Sequence, residues 1–425
     1  TSTSTGVNNT AIGAMSAYYN TTGRSNTSVG YKSLQENTTG DGNTAIGDSV
    51  LLNNTTGTLN LAAGKNALMT STNGFNNVAL GNMSMYFASS TNHNNVAVGN
   101  SAMNGTAAYN NTAYNVAIGY NTLFSVNGGD NNVVLGNRAA YSNSSGCYNV
   151  ASGFTALYSN INGYYNIAQG FETMKNGTTS NFYNIALGAR AMYGSVAYTN
   201  TYRNIALGSS ALYSINGGND NIALGTESLN SHETGDYNFA AGCHAMDNSS
   251  TGNEYNIALG YYAMQGTASY TNSTNNIALG YESLSSISGG DYNIAVGRNS
   301  LNENTTGNFN IAEGHWALYN NTTGSDNIAL CYRAMYHGTS DNDYNIAIGP
   351  YALQGSGTYT NSDYNISLGL YSLYSINGGD DNIVLGRRAA YNNSSGSYNI
   401  ALGLYSLRYN GNGSNNVSLG QGAME

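Results

Sequence analysis

The sequence predicts an all-β protein, a parallel β-solenoid of about 23 coils with 17–20 residues each. A five-residue pattern, Asn-x-small-x-Gly, occurs 24 times between Asn9 and Gly420, and its glycines follow one another at intervals of 17, 18 or 20 residues. Units this short hold two short strands with their turns, whereas the smallest common helical repeat needs about 34 residues. The chain contains one proline, as expected where most strand N–H groups bond to a neighbour.

The composition excludes several other classes of protein. Charged residues make up 8% of the chain and hydrophobic residues 40%, which is unlike a disordered chain. No apolar run approaches the roughly 20 residues of a membrane-spanning helix, so we expect no membrane insertion by this segment. The net charge is −10 with only 12 Lys and Arg, which argues against nucleic acid as a partner.

The first motif position is Asn in all 24 copies. A corner that only needed tolerant geometry would also accept Gly, Asp or Ser in some coils. We therefore predict a ladder in which each amide side chain bonds to its counterpart one coil away. The representative ladder residues are Asn43, Asn60, Asn77, Asn256, Asn276, Asn293 and Asn399.

The motif strand has two restricted faces. Alternation places large residues such as Ile257 and Leu259 on one face and the small Ala258 on the other. If the large residues fill the coil together with residues such as Met264, the small face is approached by a partner chain. Otherwise the small face is the interior and the large face is the interface. The sequence leaves both open, and both predict an oligomer.

Three strand positions break the apolar rule, namely Ser152, Gln169 and Glu313. A buried carboxylate is costly unless it is paired, protonated or hydrated. Glu313 would therefore mark a polar axial site in an oligomer, or it lies near the coil edge and reaches solvent.

The Asn-x-Ala-x-Gly strand followed by a small residue resembles the head repeat of YadA-like trimeric autotransporter adhesins. It is also similar to repeats in phage tail fibres. The resemblance covers Asn9 to Gly420 and implies a left-handed parallel β-roll and a homotrimeric rod. The family's repeat is shorter, so the additional Asn-Thr-Thr-Gly turn of this chain, as at residues 37–40, is expected to widen each coil.

The longer units share a second pattern. Counting the motif Gly as position 0, each 18-residue unit precedes a 20-residue unit that carries Gly at position 6 and Tyr at position 10. We expect these units to form projecting loops whose tyrosines contact sugars or proteins, or else stack on neighbouring coils. The candidate surface-binding residues are Tyr109, Tyr114, Tyr198, Tyr202, Tyr270, Tyr359 and Tyr364.

Residues 1–425 are expected to form a single continuous repeat domain without terminal caps, because the chain starts and stops in register. We expect the solenoid to continue through its ends, either within a longer protein or by head-to-tail stacking into a filament.

No catalytic or metal-binding pattern is recognisable. The histidines lie in different coils with no repeated carboxylate beside them, and Glu172, Glu227 and Glu282 lie several coils apart, too far for a glycosidase pair. The cysteines contain no Cys-x-x-Cys pair and indicate neither a zinc site nor a disulfide framework. They are Cys147, Cys243 and Cys331. We expect a protein that is not an enzyme and needs no cofactor or metal.

These observations favour an extracellular structural fibre that self-associates, as a homotrimer and as a head-to-tail filament, and adheres to glycans or a host surface through its tyrosines. The alternative is a receptor-binding tail fibre on the surface of a phage or virus. An ice-binding solenoid is less favoured, because threonine pairs such as Thr38-Thr39 are not sustained along the chain.

Overall fold

The computed structural model describes residues 5–88, 90–106, 111–267, 270 and 272–425. Within these residues the chain consists of three-residue strands and turns and contains no helix. The predicted parallel β-solenoid is confirmed, with about 24 turns. Residues form two compact units, Thr1–Gly217 and Gly218–Glu425.

Each unit contains twelve strands. In the first unit, β1 to β12 are Thr10–Ile12, Thr27–Val29, Thr44–Ile46, Leu61–Ala63, Val78–Leu80, Val96–Val98, Val116–Ile118, Val133–Leu135, Val150–Ser152, Ile167–Gln169, Ile185–Leu187 and Ile205–Leu207. In the second unit, β13 to β24 are Ile222–Leu224, Phe239–Ala241, Ile257–Leu259, Ile277–Leu279, Ile294–Val296, Ile311–Glu313, Ile328–Leu330, Ile346–Ile348, Ile366–Leu368, Ile383–Leu385, Ile400–Leu402 and Val417–Leu419.

Within each unit, successive strands pair in parallel with one coil of offset. Ala258 of β15 pairs with Ala278 of β16, and Ile257 and Leu259 pair with the same residue types. Because side chains of a strand alternate between its faces, this register places like residues above like residues on both faces.

The motif glycine is required by its backbone conformation and by the neighbouring coil. Gly260 has a φ of 139°, and a Cβ on it would lie 2.7 Å from the carbonyl carbon of Gly280. Cys331 is the exception at this position, where it adopts a φ of 100° and is exposed. A side chain is strained there, which explains why glycine fills the other 23 copies.

The small strand face is the interior of the coil. The middle residue of β2, Ser28, donates from Oγ to the carbonyl oxygen of Ser33 at 2.8 Å, and Ser33 lies at position 3 of the coil that follows. In β21 the hydroxyls of Ser367 and Ser372 are 2.6 Å apart in the same arrangement. The alternative that a partner chain requires the small residues is therefore wrong, because the opposite wall of the coil approaches them.

The turn after each strand sends one large residue inwards. Positions 2 and 4 both have positive φ, as at Tyr262 with 55° and Met264 with 51°. Such φ values are uncommon for residues other than glycine and are maintained here by the surrounding packing. Met264 is fully buried, so burial of its side chain offsets the backbone strain.

The motif asparagines form a continuous hydrogen-bonded ladder within each unit. The amide of Asn276 donates from Nδ2 to Oδ1 of Asn256 at 3.2 Å and to the carbonyl oxygen of Gly290 at 2.8 Å. The same Oδ1 also accepts the backbone N–H of Asn276 at 2.9 Å. The same bond between neighbouring amides is made by Asn43, Asn60, Asn77, Asn256, Asn293 and Asn399. The oxygen and the NH₂ group of each buried amide thereby both have hydrogen-bond partners. A smaller polar residue could not make both sets of bonds.

Candidate functional site

The large strand residues form an exposed apolar face on the outside of each unit. Ile257 and Leu259 of β15 are each 38% exposed, whereas Ala258 between them is fully buried. Across the 24 strands, the outward positions hold a single charged residue, Glu313. We name these outward first and third strand residues the apolar face.

The three polar exceptions interrupt this face without meeting in one place. Ser152 is half-buried and pairs with the exposed Gln169 one coil away. Glu313 is exposed and lies in register between Val296 and Leu330. The carboxylate therefore faces outwards on the apolar face, and not into the coil.

The tyrosines at position 10 of the 20-residue coils are buried, so their prediction as surface-binding residues is wrong. Tyr198, Tyr270 and Tyr359 are at most 1% exposed. The phenol of Tyr198 donates to the carbonyl oxygen of Met192 at 3.0 Å, and its ring covers Gly194, where a Cβ would clash with it. The Gly at position 6 thus allows the chain to fold back over the coil interior. Tyr109 lies outside the described residues.

The pairing of 18- and 20-residue coils follows from this tyrosine. Position 7 of the 18-residue coil is small, and it forms a bridge with the tyrosine of the next coil, as between Gly177 and Tyr198. A Cβ on Gly177 would lie 2.8 Å from the phenol oxygen. Ser249 and Gly338 occupy the same position and form bridges with Tyr270 and Tyr359. The smaller residue in one coil therefore makes room for the ring in the next.

A second amide column was missed by the sequence analysis. In many 17-residue coils position 7 is Asn, and Asn160 donates from Nδ2 to Oδ1 of Asn143 at 2.7 Å. The amide of Asn143 donates to the carbonyl oxygen of Gly146 at 2.9 Å. The regular Asn at position 7 and Gly at position 10 could have indicated this column.

Exposed tyrosines form a separate group, which precedes the motif asparagines. Tyr165 stacks on Tyr148 with ring centroids 4.8 Å apart and on Tyr183 at 5.0 Å. Tyr364 stacks on Tyr344 at 5.0 Å, and the half-buried Tyr202, two residues before its motif asparagine, lies 5.4 Å from Phe182. Stacking on neighbouring coils, which the sequence analysis gave as the alternative to contacts with sugars or proteins, is therefore also found for exposed rings.

Tyr114 lines a surface groove of about 440 Å³ in the first unit. The rings of Phe75 and His93 stack at 4.8 Å with an interplanar angle of 9°, and Tyr114 meets His93 edge-on at 5.6 Å. The groove's polar lining includes Asn73, Thr91, Asn111 and Asp130. Flat aromatic surface beside amide and carboxylate groups is suited to a ligand with both apolar and hydroxyl-bearing faces.

The first unit contains a cluster in which one carboxylate is paired with two cations. Glu172, at position 2 of its coil, bonds to Lys175 Nζ at 2.6 Å and to Arg190 Nε at 3.0 Å. Burial raises the pKa of Glu172, but the two hydrogen bonds and the two positive charges outweigh it and hold the pKa below its usual value.

The second unit contains a cluster at positions 2 and 5 with the reverse composition, two carboxylates and one imidazole. His244 Nδ1 lies 3.2 Å from Glu227 Oε2 and 2.8 Å from Asp247 Oδ2. Burial raises the pKa of Asp247, the contact with His244 lowers it, and Glu227 raises it further. The sequence shows no repeated carboxylate beside the histidines, and this single contact was not predicted, because it is stacking that brings Glu227 next to His244 from the preceding coil.

Comparison of the sequence with protein-family models gives no match, and neither does comparison with curated protein sequences. In the part of the chain that the structure describes, nothing helical has the length and apolar character to cross a membrane. The three cysteines are unpaired.

Proposed function

We propose that this chain is a non-enzymatic structural fibre protein of a cell or virion surface, which associates with further copies of itself through the apolar face. The observation that carries the proposal is the outward row of large apolar residues, two per strand in six of the twelve strands of the first unit and in ten of the twelve of the second, with one charge among the outward positions. The interior needs no partner, because small residues already close it.

The size of the apolar face supports a second copy as its occupant. The outward residues range from half-buried to 61% exposed at Leu419, so the face presents on the order of 1,000 Å² per unit, against about 800 Å² per partner in a standard interface. The largest apolar patch of a monomer is typically about 300–600 Å². An identical chain matches this surface best, because its face has the same regular strand spacing and also holds only one charged residue, Glu313.

The resemblance to trimeric adhesin heads makes a homotrimer with left-handed coils the specific form of this proposal. Sedimentation equilibrium of the full chain tests it, with a mass of three times 44.5 kDa expected. The double variant Leu259→Lys with Leu279→Lys places charges on two neighbouring outward positions and should reduce the mass to that of one chain, because buried unpaired ammonium groups are costly.

Tyr364→Lys is the matched control, because Tyr364 is exposed and lies off the apolar face. This variant should sediment as the parent protein does. A parent chain that remains monomeric at micromolar concentration would contradict the proposal, as would a lysine double variant that keeps the full mass. Circular dichroism must show that all variants keep their β structure.

The aromatic groove of the first unit favours adhesion to glycans as a second function. Sugar rings stack on flat aromatic side chains while their hydroxyls bond to amides and carboxylates. A glycan array should show binding that falls about tenfold in Tyr114→Ala, since one aromatic contact contributes about 0.5–1.5 kcal/mol. Tyr364→Ala removes an equally exposed ring outside the groove and should bind as the parent protein does. Equal loss in both variants would contradict a specific groove site.

A further inference from the structure

We propose that Glu227, His244 and Asp247 form a binding site for a divalent first-row transition ion such as Zn²⁺. One ligand atom from each side chain lies within 4.8 Å of the others, and the three residues are held by two stacked coils. His244 follows Glu227 by one coil, and its backbone N–H bonds to the carbonyl oxygen of Thr226 at 3.0 Å.

The spacing of the ligand atoms matches a metal coordination shell. The separations of 3.2 and 2.8 Å from Nδ1 to the two carboxylate oxygens are close to the roughly 3.0–3.5 Å between adjacent ligands around an ion with bonds of about 2.0–2.2 Å. Small side-chain adjustments suffice to place all three atoms on one ion. The remaining coordination positions would be filled by water.

The charge of the cluster also points to a cation. Nδ1 carries at most one hydrogen, so the imidazole can donate to only one of the two carboxylates at a time. The cluster of Glu172, Lys175 and Arg190 has the opposite excess at positions 2 and 5, where one carboxylate has two permanent cations. A divalent ion would replace the Nδ1 proton, which passes to solvent, and would neutralise both carboxylates of the second unit's cluster.

The side chains have the burial and support that a metal ligand needs. The side chain of Asp247 is 14% exposed and that of His244 is 23% exposed, whereas Glu227 at 43% leaves a path for entry. The ring of Tyr262 from the next coil stacks on the imidazole at 5.0 Å and fixes its plane. One imidazole with two carboxylates suits Zn²⁺ or a similar ion better than Ca²⁺, which prefers oxygen ligands alone.

Isothermal titration of untagged, metal-free protein with Zn²⁺ tests the site. We expect one equivalent of Zn²⁺ to bind, and the affinity to fall at least about tenfold in His244→Asn. Asparagine tolerates the φ of 56° at this position and occurs at the same position as Asn66, Asn121 and Asn299, so the backbone should not change. Asp247→Asn is a second test, since Asn104 and Asn302 occupy the corresponding position in other coils.

Glu172→Gln is the matched control, because it removes a carboxylate at position 2 from the cluster that already has two cations. Zn²⁺ binding should be unchanged in this variant. The proposal is overturned if the parent protein binds no Zn²⁺, or if His244→Asn and Asp247→Asn bind it as the parent does. It is also overturned if Ca²⁺ binds with equal affinity and the His244→Asn substitution has no effect, because the site would then be a general acidic surface.

Discussion

The 17-residue coil that starts at Gly136 and the 20-residue coil that starts at Gly188 fill the same part of their interior in two different ways. In the first, the amide of Asn143 bonds to Asn160 and to the carbonyl oxygen of Gly146. In the second, the ring of Tyr198 occupies the interior and its hydroxyl bonds to the carbonyl oxygen of Met192. Both solutions bury a polar group whose hydrogen bonds are satisfied.

This difference explains how a solenoid changes its coil length while its motif strands stay in register. An amide column needs identical neighbours one coil away, whereas the tyrosine bonds within its own coil and needs only a small residue, such as Gly177, in the coil before. A 20-residue coil can therefore interrupt the amide column while the motif strands continue to pair, as β10, β11 and β12 do. The substitutions below test the comparison from the largest expected effect to the smallest.

Truncating the tyrosine should have the largest effect. Tyr198→Ala leaves a cavity where a fully buried ring was, and it should destabilise the coil by about 3–5 kcal/mol. Amide hydrogen exchange of the bonds that surround the coil from Gly188 to Gly208 measures this loss. Tyr183→Ala, which removes an exposed ring nearby, should cost less than about 1 kcal/mol. Similar losses in both variants would show that the ring does not close the coil.

In the second unit, one histidine occupies the position of the column asparagine. His232 lies at position 7, and its Nε2 donates to the carbonyl oxygen of Gly235 at 3.1 Å while Nδ1 accepts from the Ser249 hydroxyl at 3.0 Å. Burial lowers the pKa of His232 to about 4, although the bond to Gly235 and the charge of Asp236 act to raise it. The native coil therefore holds this imidazole neutral.

Acid should weaken this coil more than an asparagine coil. Between pH 6.5 and 4 the imidazole of His232 takes up a proton in the unfolded chain but not in the native chain. The free energy of unfolding is therefore full above pH 6.5 and decreases as the pH falls, by up to about 3 kcal/mol. His232→Asn restores the residue found elsewhere in the column and should remove this part of the acid dependence. Urea denaturation at several pH values compares the two proteins, and identical pH profiles would show that His232 is not the titrating group.

The sequence was sufficient for the fold because each coil repeats the same short-range rules. The Asn and Gly of the motif fix a ladder and a positive φ that no other residue satisfies as well, so periodicity alone predicts the motif strand of each coil. The second short strand expected in each coil is not found in the described residues, which have one three-residue strand per coil. The direction of the strand faces was not predictable, because Ile257 and Ala258 alternate equally well in either orientation. The burial of Tyr198 and the contact between Glu227 and His244 depend on which residues of neighbouring coils meet. The repeat pattern gives the position of each residue within its coil, but not the contacts between unlike residues of neighbouring coils.

The smallest effect at pH 7 concerns the hydroxyl of the buried tyrosines. Burial raises the pKa of Tyr198, Tyr270 and Tyr359, so above pH 10 the unfolded chain loses phenolic protons that the native chain keeps. Stability should fall above pH 10 by about 1.4 kcal/mol per pH unit for each such tyrosine.

Tyr198→Phe should cost about 1 kcal/mol at pH 7, because the carbonyl of Met192 loses its donor. The same variant should reduce the alkaline slope in urea denaturation, because one of the three buried phenols is then absent. An unaltered slope in Tyr198→Phe would mean that its phenol already reaches solvent when the coil is folded.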